Sequence, residues 1–159
     1  MYSSDTQLAM GVQGEEALDQ FFGRWYDITP VDMTAQRAGI DRVFVERESK
    51  QSFTVEYKTD ATAGRTGNAF VETISIDPNP GQHRLARRLG WAVRSQATAL
   101  IYYIPDPETI YLISMRRLRR QLPRWREEYP VRRIPNRGYH TVGLLVPLDE
   151  FECIARKVF

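Results

Sequence analysis

The chain reads as one α/β domain in which a helix, three strands, a second helix and a buried strand build a mixed sheet flanked by helices, followed by further strand and helix additions. Three observations predict it. Apolar residues recur at helical spacing over residues 5–23, three segments rich in β-branched and aromatic residues follow, and Thr98 to Ile104 is an unbroken apolar run of the kind a fully buried strand carries. With 159 residues, 42% of them hydrophobic, the chain can build one sizeable core but not two. No repeat, low-complexity tract or linker divides it, so residues 1–159 are expected to form a single domain, with a core over about 11–104 and additions over 105–159.

On the opening helix Gly11, Gly14, Ala17, Leu18, Phe21 and Phe22 fall on one face, while Glu16, Asp19 and Gln20 point away. Glu15 lies at the edge of the apolar face, a good position for a carboxylate overlooking a cleft. Strands are expected near 25–31, 40–47 and 52–58, the last two joined by a hairpin turn around Glu48, Ser49 and Lys50. In the third, Phe53, Val55 and Tyr57 alternate with Thr54, Glu56 and Lys58, so Glu56 and Lys58 share a face. Gly64 to Asn68 reads as a turn and Ala69 to Ser75 as a strand. Residues 83–97 are expected to be mostly helical, with Gly90 as an interruption; a strand near 109–114, an arginine-rich helix near 115–128, a strand around 139–146 and a helix N-capped by Asp149 complete the chain.

The formal charge is only +2, but it is unevenly distributed. Residues 1–80 carry 7 basic and 13 acidic side chains, residues 81–140 carry 13 and 4, and every basic residue in that middle stretch is arginine. Guanidinium forks match phosphate geometry, so Arg84, Arg87, Arg88, Arg116, Arg117, Arg119 and Arg120 are candidates for gripping a polyanion. A solvated surface with no partner is the bland alternative.

The acidic part holds the chemistry. Asp41 opens one strand, and Glu56, fifteen residues on, lies on its hairpin neighbour. A hard cation such as Mg²⁺ takes oxygen ligands, usually one or two carboxylates with waters and substrate oxygens, and Asp41, Glu56 and the backbone carbonyl of Tyr57 would suffice. Lys58 would stand beside that ion, positioned to handle a water and to offset charge on an attacked phosphate.

These residues resemble the PD-(D/E)XK nuclease superfamily, the restriction endonuclease-like enzymes and Holliday junction resolvases. Asp41 followed by Glu56-Tyr57-Lys58 matches the motif, and Gly11-x-x-Gly14-Glu15 then Ala17 resembles the opening helix of resolvase-like members, whose glutamate often completes the metal site. The resemblance spans roughly residues 11–104. It implies a restriction endonuclease-like α-β-β-β-α-β core and divalent-metal-dependent hydrolysis of DNA, by a structure-specific or junction-resolving endonuclease. It further implies Mg²⁺ as cofactor with Mn²⁺ able to substitute, Glu15 as a further carboxylate, and an architecture compatible with a homodimer; Glu72 reads either as another carboxylate near the metal or as a simple strand-edge charge. Ile40 stands where proline is usual, and the glutamine-tyrosine motif of some subfamilies has no firm counterpart, Gln96 being a weak one. A non-catalytic nucleic-acid-binding module of the same fold is the alternative.

Other chemistries lack support in the sequence. The single cysteine, Cys153, excludes an internal disulfide framework and reads as a small core residue. His83 and His140 lack a nucleophile pattern; Trp25, Trp91 and Trp125 read as core anchors, with base stacking by Trp91 as its functional alternative. No leader or membrane-spanning run is evident, so a reduced, intracellular, cytoplasmic protein with no membrane partner is expected.

Overall fold

The structure, a computed structural model, describes residues 4–159, with side chains from residue 13 onward. Helix α1 (Ser4–Phe22) leads into β1 (Tyr26–Pro30), a short α2 (Met33–Arg37), β2 (Arg42–Glu46) and β3 (Ser52–Thr59). Next come α3 (Ala63–Thr66), β4 (Asn68–Pro78), β5 (Arg88–Leu89), α4 (Trp91–Arg94), β6 (Ala99–Ile104) and β7 (Thr109–Ser114). The last part holds α5 (Met115–Glu128), β8 (Val131–Asn136), β9 (Tyr139–Pro147), α6 (Leu148–Ile154) and β10 (Ala155–Val158). No described helix is long and apolar enough to cross a membrane.

The strands form two sheets. A six-stranded mixed sheet runs β1-β2-β3-β6-β7-β10, parallel only between β3 and β6, and a four-stranded antiparallel sheet runs β5-β4-β9-β8. Period-two alternation makes the first sheet two-sided. Val55, Tyr57, Ile101 and Leu112 pack under Leu18 and Phe22 of α1, while Leu100, Tyr102, Tyr111 and Ile113 face Val71, Leu144 and Val146 of the second sheet, Leu118, Leu122 and Trp125 of α5, and Phe151 of α6. Helix α1 reaches the sheet closely because residue 14 is glycine: a Cβ there would stand 2.3 Å from Thr59 Oγ1. Of the residues expected on its apolar face, Leu18 and Phe22 are buried, Ala17 is exposed, and Gly11 lies outside the described side chains.

Several expectations need correction. Residues 83–97 are not a helix; only Trp91–Arg94 is helical, and Arg88–Leu89 pairs with β4. A Cβ at Gly90 would fall 2.4 Å from Glu72 O, and Gly90 N donates to Thr73 O (2.8 Å), so pairing with β4 overrides local helix propensity. The expected turn at Gly64–Asn68 contains α3, closed by Gly67 at φ 71°, and β4 runs past Ser75 to Pro78. Strand β8 was not expected, nor β10, where the terminal helix gives way. Pro147, not Asp149, is the N-cap of α6, and Asp149 lies in its first turn. The additions are integral, since β7 and β10 complete the first sheet and β9 lies inside the second. Cys153 is exposed because Phe151 and Ile154 take the buried positions of α6. Trp91 and Trp125 are core residues, whereas Trp25 is 44% exposed against Phe21 and Phe159.

Helices α5 and α6 are joined through Glu150. It accepts a bidentate fork from Arg124 (3.0 and 2.5 Å), the Trp125 indole N–H (3.1 Å) and the Tyr129 hydroxyl (2.6 Å). These donors, Arg124 foremost, hold its carboxyl down to about 2. The folded value lies below the ordinary 4.5, so the contribution is complete above about pH 4.5 and is lost as pH falls toward about 2. Glu150→Gln should therefore lower the melting temperature at neutral pH, and the gap to the parent should narrow on acidification. Parallel melting curves across that window would show that the charge does not tie the two helices.

Candidate active site

Asp41 is held from both sides before β2 begins. Gly39, at φ 80°, lies against Ser95, whose Oγ donates to Gly39 O (2.9 Å), and Gln96 N donates to Ala38 O (2.8 Å). Asp41 N donates to Val55 O (2.8 Å), and Asp41 Oδ2 accepts Tyr57 N–H at 2.7 Å. Arg42 pairs with Val55, so Asp41 stands opposite Glu56. In an extended strand a residue's N–H and C=O leave on the same edge, which directs the Tyr57 carbonyl toward the edge that Asp41 occupies. The Asp41 contact predicts a split between two substitutions. Asp41→Ala strands the Tyr57 N–H and should cost about 1–3 kcal/mol, whereas Asp41→Asn keeps an acceptor and should unfold in urea near the parent midpoint. Equal losses would show that the bond does not position this carboxyl.

Glu56 and Lys58 share the face toward the second sheet. Their ion pair, Lys58 Nζ to Glu56 Oε1, is 2.8 Å long; the Glu56 side chain is 4% exposed and that of Lys58 is 34% exposed. Glu56 Oε2 is buried with no hydrogen-bond partner. A buried carboxylate oxygen left unpaired is costly and calls for a donor or a cation. Glu72 belongs to the same neighbourhood. Its Oε1 accepts Trp91 N–H (3.4 Å), and burial foremost pushes its carboxyl up, with Glu56 adding to the rise while Lys58, the Trp91 bond and Arg94 oppose it. Gly90 permits this approach, since a Cβ there would lie 2.7 Å from Glu72 Cγ.

Glu15 is placed differently. Arg42 Nη2 pairs with Glu15 (3.1 Å), Arg42 Nε contacts both oxygens of Asp19 (3.2 and 3.1 Å), and the Arg42 guanidinium lies 5.5 Å from the Tyr57 ring centre. The Tyr57 hydroxyl donates to Asp19 (2.8 Å), and burial, with Asp19 beside it, holds the phenol neutral. The Tyr57 side chain and Arg42 face α1, on the opposite side of the sheet from Glu56 and Lys58, so Glu72 lies within electrostatic reach of Glu56 and Lys58, Asp41 is held at the Tyr57 backbone, and Glu15 is left with Arg42. Among the described residues no three His, Cys, Asp or Glu side chains form a metal cage on their own. A surface cleft lined by Asp19, Tyr26, Arg42 and Arg47 also lies on the α1 side, away from Glu56.

One residue near the site gave no sequence signal. Asp60, just past Lys58, caps α3 by accepting Thr62 and Ala63 N–H (both 2.9 Å), and its other oxygen accepts the buried Tyr102 hydroxyl. That network holds the turn leaving β3. Of the candidate polyanion contacts, Arg84, Arg87, Arg88, Arg116, Arg117 and Arg120 are exposed, whereas Arg119 is half-buried and donates to the carbonyls of Ala92 and Ser95, closing the end of α4.

No family model and no curated protein matches this chain. Among solved structures it is similar to a bacterial homing endonuclease at 16% sequence identity with a TM-score of 0.47, over 72% of this chain and 70% of that one.

Proposed function

We propose that this protein is a divalent-metal-dependent nuclease of PD-(D/E)XK type that hydrolyses phosphodiester bonds in DNA. The observation that carries the reading is the unpartnered, buried Glu56 Oε2, beside Lys58 on a strand whose edge is occupied by Asp41. The chemistry of the candidate donors fits a hard cation: the carboxylates of Asp41 and Glu56 and the Tyr57 carbonyl are all oxygen, with waters and phosphate oxygens to complete the shell. When bound, Mg²⁺ supplies Lewis-acid polarisation of the phosphate and a more acidic water.

The chain's own residues do the rest. Asp41 and Glu56 supply the carboxylates, with Asp41 fixed by the β3 backbone. Lys58 is tethered by Glu56 but half-exposed, so its ammonium can turn to a water or a phosphate oxygen without leaving the strand. Glu72, on β4, adds negative charge within reach of Lys58. Glu15 serves Arg42, and its role in the reaction is to keep β2 against α1. Supercoiled plasmid and a four-way DNA junction, each incubated with Mg²⁺, Mn²⁺ or EDTA, test the reading. Cleavage is expected only with metal. Equal cutting in EDTA, or none in any condition, would overturn it, and preference for the junction would assign the junction-resolving form.

A further inference from the structure

The candidate active site leaves the far end of the second sheet without a task. There β4 ends at Asp77 and Pro78, β8 and β9 turn at Arg137 and Gly138, and the segment 79–87 packs back onto that turn. Asn79 N donates to Gly138 O (3.0 Å), and a Cβ on Gly138 would stand 3.4 Å from Gln82 Cδ and 3.6 Å from Leu85 Cδ1. Arg88 returns the chain to the sheet opposite Ile76. Residues 79–88 and the β8–β9 turn at 136–138 thus meet at one end of one sheet, and with Arg133, whose side chain reaches Asp77, they bring five arginines there, whereas Arg132 pairs with Gly143 at the level of Glu72.

All five are exposed: Arg84, Arg87, Arg88, Arg133 and Arg137. Arg133 pairs with Asp77 (2.9 Å); the other four have no ion-pair partner among the described residues. On α5, Arg119 is committed to α4 and Arg124 to Glu128 and Glu150, while Arg116, Arg117 and Arg120 are exposed and unpaired among the described residues but spread along one helix. Uncompensated like charges at one end of a sheet repel one another, and a polyanion relieves that repulsion. Protecting the β8 edge from strand pairing would need only the charges and Pro135 of β8 itself, and does not account for Arg84 and Arg87.

We propose that this end of the second sheet is a docking arm for the phosphate backbone of duplex DNA, a role that rests on the nuclease reading and extends it to a second contact region. Arginine forks suit phosphate oxygens, and β4 sets the reach. Asp77 lies five residues beyond Glu72 on β4, about 15 Å along an extended strand with two irregularities. A DNA strand carries a phosphate every ~3.4 Å of axis, so the arm engages the backbone about four or five base pairs from the phosphate held beside Glu56.

The test is a salt titration of binding to a mixed-sequence duplex in EDTA. Each phosphate contact contributes about 0.9 to the slope of log K against log[salt]. Replacing Arg84, Arg87, Arg88 and Arg137 together by alanine should lower the slope by about three units, the same four changed to lysine should restore most of it, and Arg116→Ala with Arg117→Ala and Arg120→Ala should lower it by less than about one. An unchanged slope in the alanine arm variant, or a larger loss in the helix variant, overturns the arm. Cleavage by the parent with Mn²⁺, read alongside, separates the two ideas. A parent that cuts while the arm variant keeps its slope loses only the arm; a parent that binds through the arm and never cuts loses only the nuclease reading.

Discussion

Glu56→Gln should reduce metal-dependent DNA cleavage about a thousandfold, because losing a charged ligand removes roughly 4 kcal/mol of electrostatic stabilisation and each ~1.4 kcal/mol is a factor of ten. The fold should survive. Glutamine matches the shape of glutamate, and the buried site loses a charge that has one oxygen paired and one unpaired. In EDTA the variant should melt at or above the parent temperature, since Lys58 is half-exposed and water can take over its solvation. Added Mn²⁺ should raise the parent's melting temperature by about 5–10 °C, from ~2.7 kcal/mol at a hundredfold excess over the dissociation constant and ~2–4 °C per kcal/mol. The glutamine variant should lose most of that rise. A variant that cuts like the parent, or responds fully to Mn²⁺, would show Glu56 to be a structural carboxylate.

How far the sequence reveals this site depends on which residues are asked to speak. Strand β3 was legible because Phe53, Val55 and Tyr57 alternate with Glu56 and Lys58, and period two leaves no choice about which side chains share a face. The hairpin with β2 followed, and with it the closeness of Asp41 and Glu56. Glu15 shows where such reasoning stops. A helical wheel places it at the edge of the apolar face, but which side of the sheet α1 covers is decided by long-range packing, and α1 covers the side bearing Tyr57. Arg42, one residue after Asp41, alternates to that same side and takes Glu15 with it.

The arginine-rich half was harder for a related reason. Residues 83–97 have helix-compatible composition, and only the approach of Gly90 to the Glu72 carbonyl shows why the chain must lie flat on β4. Strand β8 is exposed at every position, so it carries no buried alternation from which to infer pairing; its backbone bonds to β9 create it. Both errors fall in the second sheet, whose order β5-β4-β9-β8 joins β4 to β9 across 61 to 79 residues of chain, from Pro78↔Tyr139 to Asn68↔Pro147. The gathering of Arg84, Arg87 and Arg88 beside the turn that carries Arg137 is a consequence of that pairing, invisible until the sheet is built.

Lys58→Met should be the most destabilising single change at the site in metal-free protein, for a reason that does not involve catalysis. Removing the exposed partner of a buried ion pair leaves the other charge without compensation, at a cost of about 3–5 kcal/mol. Glu56 would then be 4% exposed in its side chain with neither oxygen paired. At ~2–4 °C per kcal/mol the variant should melt about 6–20 °C below the parent in EDTA. The reverse substitution, Glu56→Gln, carries no such penalty, so the two singles should differ widely although they break the same contact. Combining them should recover most of the loss, giving an interaction term of 0.5–3 kcal/mol or more. Mn²⁺ adds the second half of the argument. It should raise the melting temperature of Lys58→Met by more than it raises the parent's, because the cation supplies the missing compensation and no ammonium competes for Glu56 Oε1, yet cleavage should stay near background. Lys58→Met melting with the parent in EDTA would refute the buried pair, and a melting temperature unmoved by Mn²⁺ would remove Glu56 from the metal site.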